Sequence, residues 1–311
     1  MLSRTADHLF WLSRYIERAE NTARMLDIAY QTSLQPQSAI ESEQTWRSLV
    51  SISELNGVYG ARHSAINSRN VMEFMVADES NLSSIFNCLR AARENARAVR
   101  GALTTEVWET MNQTWLELRR LLREGALTRD PSQLFEWVKY RSHLSRGVTV
   151  GTMLQDEAFH FIRIGSFLER ADNTARLLDV KFYRQDDSGT ERDAARDFYY
   201  WSAVLRSVSG FEIYRKVYSN VIQPDKVAEL LILRPDMPRS LSHCITRMLA
   251  NLRRVANAQS GETLRRAGRL EAQLAFGRID EILAQGLHPF LDGFLVEVAD
   301  LGNGISRDFL V

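Results

Sequence analysis

Apolar residues recur along most of this chain at intervals of three and four, and no run alternates as a strand would. The pattern predicts a first helix from Leu2 to Leu34, stopped before Pro36, and a second from Ile40 to Tyr59 that carries Trp46 and Leu49 and ends near Gly57 and Gly60. Ser68-Arg69-Asn70 opens a short helix, and long amphipathic runs follow from Asn81 to Arg100 and from Thr105 to Arg123. Asp130-Pro131 starts another, expected to break at Gly147 and Gly151. The order then returns: Leu154 to Tyr183, a polar loop RQDDSGTERD, a helix from Asp197 to Ser219 with Trp201 where Trp46 stood, and VAELLIL. RPDMPRSLSHCITRMLANLRR follows, and then a helical tail from Gly261 to Val311, interrupted near Gly286 and Pro289.

One stretch recurs in detail. SRYIERAENTARMLD (Ser13 to Asp27) comes back as GSFLERADNTARLLD (Gly165 to Asp179), with Glu17 and Glu169 152 positions apart. At about 100° per residue, Glu17, Glu20, Asn21 and Arg24 share one arc with Arg14 beside them, while Tyr15, Ile16, Ala19, Ala23 and Leu26 take the opposite one. The second copy keeps Glu169, Asp172, Asn173 and Arg176 in register, and each copy carries the Glu-Arg pair, Glu17-Arg18 and Glu169-Arg170. A surface helix needs only varied polar residues, so acid, amide and guanidinium held in register imply definite partners. Asn95 and Arg97 correspond to Asn251 and Arg253, although Glu94 is matched by Ala250. The expected fold is an all-α, internally duplicated bundle of long amphipathic helices. Its halves, about 1–150 and 151–311, should share one core in a single domain, since no linker separates them.

Two readings of the repeated polar arc stay open. It can be a buried network locking helices together, because charges in a helical core must be paired and hydrogen-bonded. It can also line a cleft that takes a polar ligand, carboxylates facing an amine and arginines a phosphate or carboxylate. In the second case Glu17, Glu20, Arg24 and their counterparts could do acid–base work on a peptide or amine.

Composition narrows the field only slightly. With 39 basic and 39 acidic residues the net charge is +0, so neither nucleic acid nor an anionic membrane is an expected partner. No apolar run approaches a membrane span and the first residues lack the apolar core of a signal peptide, so a cytoplasmic location is expected. Cys88 and Cys244 sit among apolar neighbours and read as core positions in a reducing compartment. A carboxylate-bridged metal centre would need two Glu-x-x-His pairs, and the chain has one, Glu157 to His160; moreover His8 and His160 project about 180° from Glu17 and Glu169. No metal or cofactor is implied. Nucleophile elbows and glycine-rich phosphate loops are also missing. Pro238-Arg239-Ser240 could start a helix with Pro in its first turn, as a cap or as a small anion site.

IERAENTAR (16–24), AARENARAVR (91–100), GTMLQDEAFHFIRIGSFLERADNTARLLD (151–179) and MPRSLSHC (237–244) together resemble the bacterial alpha-E family, over essentially the whole chain. The resemblance implies an all-helical protein from operons that also encode a circularly permuted ATP-grasp protein, a transglutaminase-like protein and often a proteasome-like hydrolase, with the ATP-grasp and alpha-E modules fused in some members. That company implies ATP-dependent amide or peptide ligation, or peptide tagging. Within it the chain is expected to be a partner that holds the ligase or its peptide substrate, an enzyme of the same pathway, or a pure scaffold.

Overall fold

The unbroken three-four spacing near the N-terminus folds as one helix, α1 (Ser3–Ser33), with Leu9, Phe10, Ala19, Ala23 and Leu26 facing inward. The computed structural model describes residues 1–34, 38–179, 191–218 and 221–310, and of 191–197 the backbone only. About 80% of the described residues are helical, and no strand occurs among them. Two compact units emerge, Met1–Ser166 and Phe167–Val311.

In the first unit α1 is followed by α2 (Ala39–Ile52), α3 (Asn56–Gly60), α4 (Ser68–Val76), α5 (Ile85–Ala98), α6 (Thr105–Arg123), α7 (Ala126–Arg129) and α8 (Pro131–Thr152). Helix α9 (Glu157–Asp179) runs through the boundary between the units. The second unit continues with α10 (Glu191–Ser207), α11 (Phe211–Val217), α12 (Pro224–Ile232), α13 (Leu241–Arg254), α14 (Gly261–Ala275), α15 (Ile279–Gln285) and α16 (Leu287–Phe309). In the first unit α1 packs along α5 and α8, and α6 packs against the same two helices. In the second, α13 lies on α14, and α14 and α15 lie on α16. Among the described residues no helix is long and apolar enough to cross a membrane.

Local devices recur from one unit to the other. Trp46 and Trp201 are both fully enclosed, and their helices end at left-handed residues, Glu54 (φ 55°) and Ser209 (φ 53°). Tyr59 and Tyr214 each donate a hydroxyl to a backbone carbonyl a few residues on, Ala65 at 2.9 Å and Val221 at 3.1 Å. Ser84 and Ser240 N-cap α5 and α13, accepting from the third residue of each helix.

Several boundaries differ from the sequence expectation. The run from Ile40 to Tyr59 is two helices, α2 and α3, because the chain turns through Glu54. Residues 81–84 form the turn that caps α5: buried Asn81 donates to Phe74 O, and Asn87 donates to Asn81 O. Gly147 and Gly151 do not break α8, since a helical glycine costs only about 1 kcal/mol and the flanking turns stay closed to Thr152. Pro238 lies outside α13, two residues before its N-cap Ser240, whereas Pro289 sits inside the first turn of α16, where its missing N–H is not needed. The polar loop 184–193 and the tail of the helix expected to reach Tyr183 fall outside the described residues up to 190; from Glu191 the chain is already in α10.

One close approach in the second unit makes a prediction. A Cβ on Gly304 would stand 2.6 Å from Thr263 Oγ1, whose hydroxyl donates to the buried Asp308 carboxylate at 2.5 Å. Gly304→Ala should therefore displace Thr263 and cost about 1–3 kcal/mol, although alanine is the better helix former. Urea unfolding measures it; unchanged stability would show that Thr263 moves aside freely.

Candidate functional site

The polar arc of α1 is buried, and α8 supplies its partners. Glu17, Glu20 and Arg24 are at most 5% exposed. Glu20 Oε1 accepts from Arg24 Nε and Nη2 at 2.9 and 2.8 Å. Its Oε2 accepts from Ser142 Oγ at 2.6 Å and from Arg146 Nη1. Arg146 Nη1 also reaches Glu17 Oε2 at 3.2 Å and Ser142 Oγ at 3.0 Å. The two carboxylates are thus paired with guanidiniums, as burial of charge demands.

His143 covers this cluster from the exposed side. Its Nδ1 lies 2.6 Å from Arg146 Nη2, and its Nε2 lies 3.3 Å from Arg24 Nη2. A guanidinium only donates and a neutral imidazole has one lone-pair nitrogen. A neutral ring can therefore accept at only one of these two nitrogens, and the shorter contact is the one at Nδ1.

The pairing continues along the antiparallel seam of α1 and α8. Lys139 Nζ donates to Asp27 Oδ2 at 2.8 Å, Ser132 Oγ donates to Asp27 Oδ1 at 3.1 Å, and Gln31 Nε2 donates to Ser132 Oγ at 2.7 Å. On the neighbouring face of α8, Arg141 donates to Thr114 Oγ1 and Thr110 O, and its burial lowers its pKa below the usual guanidinium value. Beside Arg146 a cavity of about 20 Å³ is lined by Leu12, Ser13, Ile16, Ser145, Thr149 and Ser166 among others. That is room for one water and for no organic ligand.

The other residues of the expected network are distributed more widely. Arg14 lies over the rings of Trp11 (4.8 Å) and Phe10 (5.5 Å), and Arg18 over Tyr15 (5.7 Å). Asn21 is buried, with Nδ2 at 3.9 Å from Met25 Sδ. On α5, Glu94 pairs with Arg93 (2.5 Å) and Arg97 (2.8 Å), half in solvent, while Asn95 Oδ1 accepts from His8 Nδ1 at 2.7 Å and ties α5 to α1. In the second unit, Glu169 and Arg170 are buried, and Arg170 lies over the Phe167 ring and reaches Pro238 O at 3.4 Å. Asp172 accepts from Arg176 Nε at 2.7 Å within α9, a fifth to a quarter exposed. Asn173 Nδ2 is buried without a partner. Asp179 accepts from His288 Nδ1 at 2.6 Å. Arg239 is buried, and Ser240 caps α13 while donating to Arg234 O at 2.5 Å.

Ser142, His143 and Arg146 were not legible as partners of the motif. Their one signal is the buried hydroxyl series Ser142, Ser145 and Thr149, spaced i, i+3, i+7 on α8. In sequence it resembles an ordinary solvated face.

The model of the Alpha-E family, described as a predicted alpha-helical domain with a conserved ER motif, matches residues 1–310. Glu17-Arg18 and Glu169-Arg170 are Glu-Arg pairs within the repeated stretch. The chain is also similar to uncharacterised proteins of Mycobacterium bovis and of two strains of Mycobacterium tuberculosis. Each is 24% identical over 327 aligned positions, covering 97% of this chain and 35% of the relative. The chain therefore spans about a third of the length of these relatives. No solved structure matches it.

Proposed function

The chain belongs to the Alpha-E family, and from that premise we propose that it is a rigid, non-catalytic helical partner in an ATP-dependent amide or peptide ligation or peptide-tagging system. Its proposed partner is a circularly permuted ATP-grasp ligase, which it holds or to which it presents a peptide; a transglutaminase-like protein and a proteasome-like hydrolase belong to the same proposed system. One observation carries this reading: both oxygens of Glu20 are consumed by Arg24, Arg146 and Ser142 inside the α1–α8 seam. An acid–base catalyst needs a carboxyl within reach of a substrate proton, and the cavity at this seam admits one water. The motif is then a register device for pairing helices. The mycobacterial relatives are nearly three times as long as the stretch they share with this chain, which suits a module that works beside other domains.

Size-exclusion chromatography of the full chain mixed with its ATP-grasp neighbour tests the proposal. A co-eluting complex is expected, with or without nucleotide. Separate elution in both conditions would overturn the partnership. A complex that forms normally but loses pathway product on Asp172→Asn would move the assignment to an enzyme.

A further inference from the structure

A second polar site lies in the first unit, away from the repeated motif. Helices α2 and α3 and the segment after α3 enclose a half-open hollow of about 590 Å³, within the size range of small-ligand pockets. Its polar lining comes from Glu43, Arg47, Ser51, Asn56, His63 and Ser64. We propose that this hollow binds the zwitterionic head of a free α-amino acid, with Arg47 taking the carboxylate and Glu43 the ammonium.

The charged pair carries the argument. Glu43 and Arg47 stand one helical turn apart and touch at 2.5 Å, both more than half exposed. An exposed i,i+4 pair contributes only a few tenths of a kcal/mol to a helix, so a ligand bearing both charges can replace it at little cost and satisfy each partner. Nor does the fold of this element require it. At the same steps around Trp201 the second unit has Phe198 and Ser202. A simple anion would meet the Glu43 carboxylate, and a simple cation the Arg47 guanidinium; a zwitterion meets neither penalty.

The remaining groups fit the same head. His63 stacks on Tyr59 with ring centroids 4.6 Å apart, and its Nε2 is buried without a hydrogen-bond partner. Buried polar nitrogens rarely stay unsatisfied; a small rotation of the ring, which lines the hollow, would present this one to a ligand carboxylate. Tyr59 itself is committed, its hydroxyl donating to Ala65 O, so it serves as the floor under the imidazole. Asn56 Oδ1 already accepts from Ser51 Oγ at 3.2 Å, which orients its amide N–H groups as donors.

Calorimetric titration of the full chain decides the matter, with L-leucine, L-glutamate and L-lysine as probes, then their N-acetyl and carboxamide forms, and inorganic phosphate. At least one free amino acid should bind, and blocking either its amine or its carboxylate should weaken binding about tenfold or more, as loss of a charge-assisted contact does. Glu43→Gln and Arg47→Gln, both at exposed positions, should each weaken binding by a similar factor while leaving the helical circular dichroism unchanged. The proposal is overturned if none of the three amino acids binds, if the blocked forms or phosphate bind as well as the free amino acid, or if neither variant weakens binding.

Discussion

Glu20→Gln is expected to destabilise the first unit by roughly 3–5 kcal/mol, the usual effect of removing one partner from a buried ion cluster. Glutamine has nearly the same shape, so the loss is electrostatic. One oxygen of Glu20 accepts from Arg24 and the other from both Ser142 and Arg146. An amide NH2 at the second position would face donors with a donor, and both guanidiniums would lose the charge of Glu20. Thermal unfolding followed by circular dichroism should show a midpoint lowered on the order of 10 °C. The comparison is Asp172→Asn, at the matching motif position. There the Arg176 pair is intrahelical and partly in solvent, so the expected loss stays below about 1 kcal/mol. Equal effects of the two substitutions would contradict the assignment of the first arc to a buried network.

Gly165→Ala should reverse the usual sign of that exchange. Within a helix alanine is favoured over glycine by about 1 kcal/mol, yet a Cβ at Gly165 would stand 2.3 Å from the Phe10 carbonyl oxygen and 2.4 Å from Ser13 Oγ. The carbonyl is backbone in the middle of α1 and already accepts from the Ser13 hydroxyl at 2.9 Å, so neither group can yield without moving the helix. A loss of about 3 kcal/mol or more follows. Adding Ser13→Ala should recover little, because the closer obstacle is the main chain. Equilibrium urea unfolding of the single and double variants measures both; a stability gain in Gly165→Ala would disprove the close approach of Gly165 to α1.

The helices themselves were readable because their apolar spacing is a local property, and Thr105–Arg123 begins and ends at the residues its pattern indicates. The repeated motif was visible for the same reason. Its partners were not, since Ser142 and Arg146 lie more than a hundred positions from Glu20 and the later half of their helix buries the hydroxyls of Ser142, Ser145 and Thr149, where its first half buries Leu134, Phe135 and Val138. Hydropathy reads such a face as solvated. The turn at Glu54 was hidden differently: a non-glycine residue with positive φ (55°) carries little sequence signal, so one helix was expected where two exist. Glycines misled in the opposite direction, for at 147 they interrupt nothing and at 165 the missing side chain is what lets two helices touch.

Cys88 and Cys244, one in each unit, are in no disulfide and have no accessible surface. A thiol is alkylated only when reagent can reach it, so in the native protein each sulfur is shielded until its surroundings open. The two labelling rates, separated by peptide mass spectrometry, therefore act as independent clocks of how often each half of the molecule breathes, with no probe added to the chain.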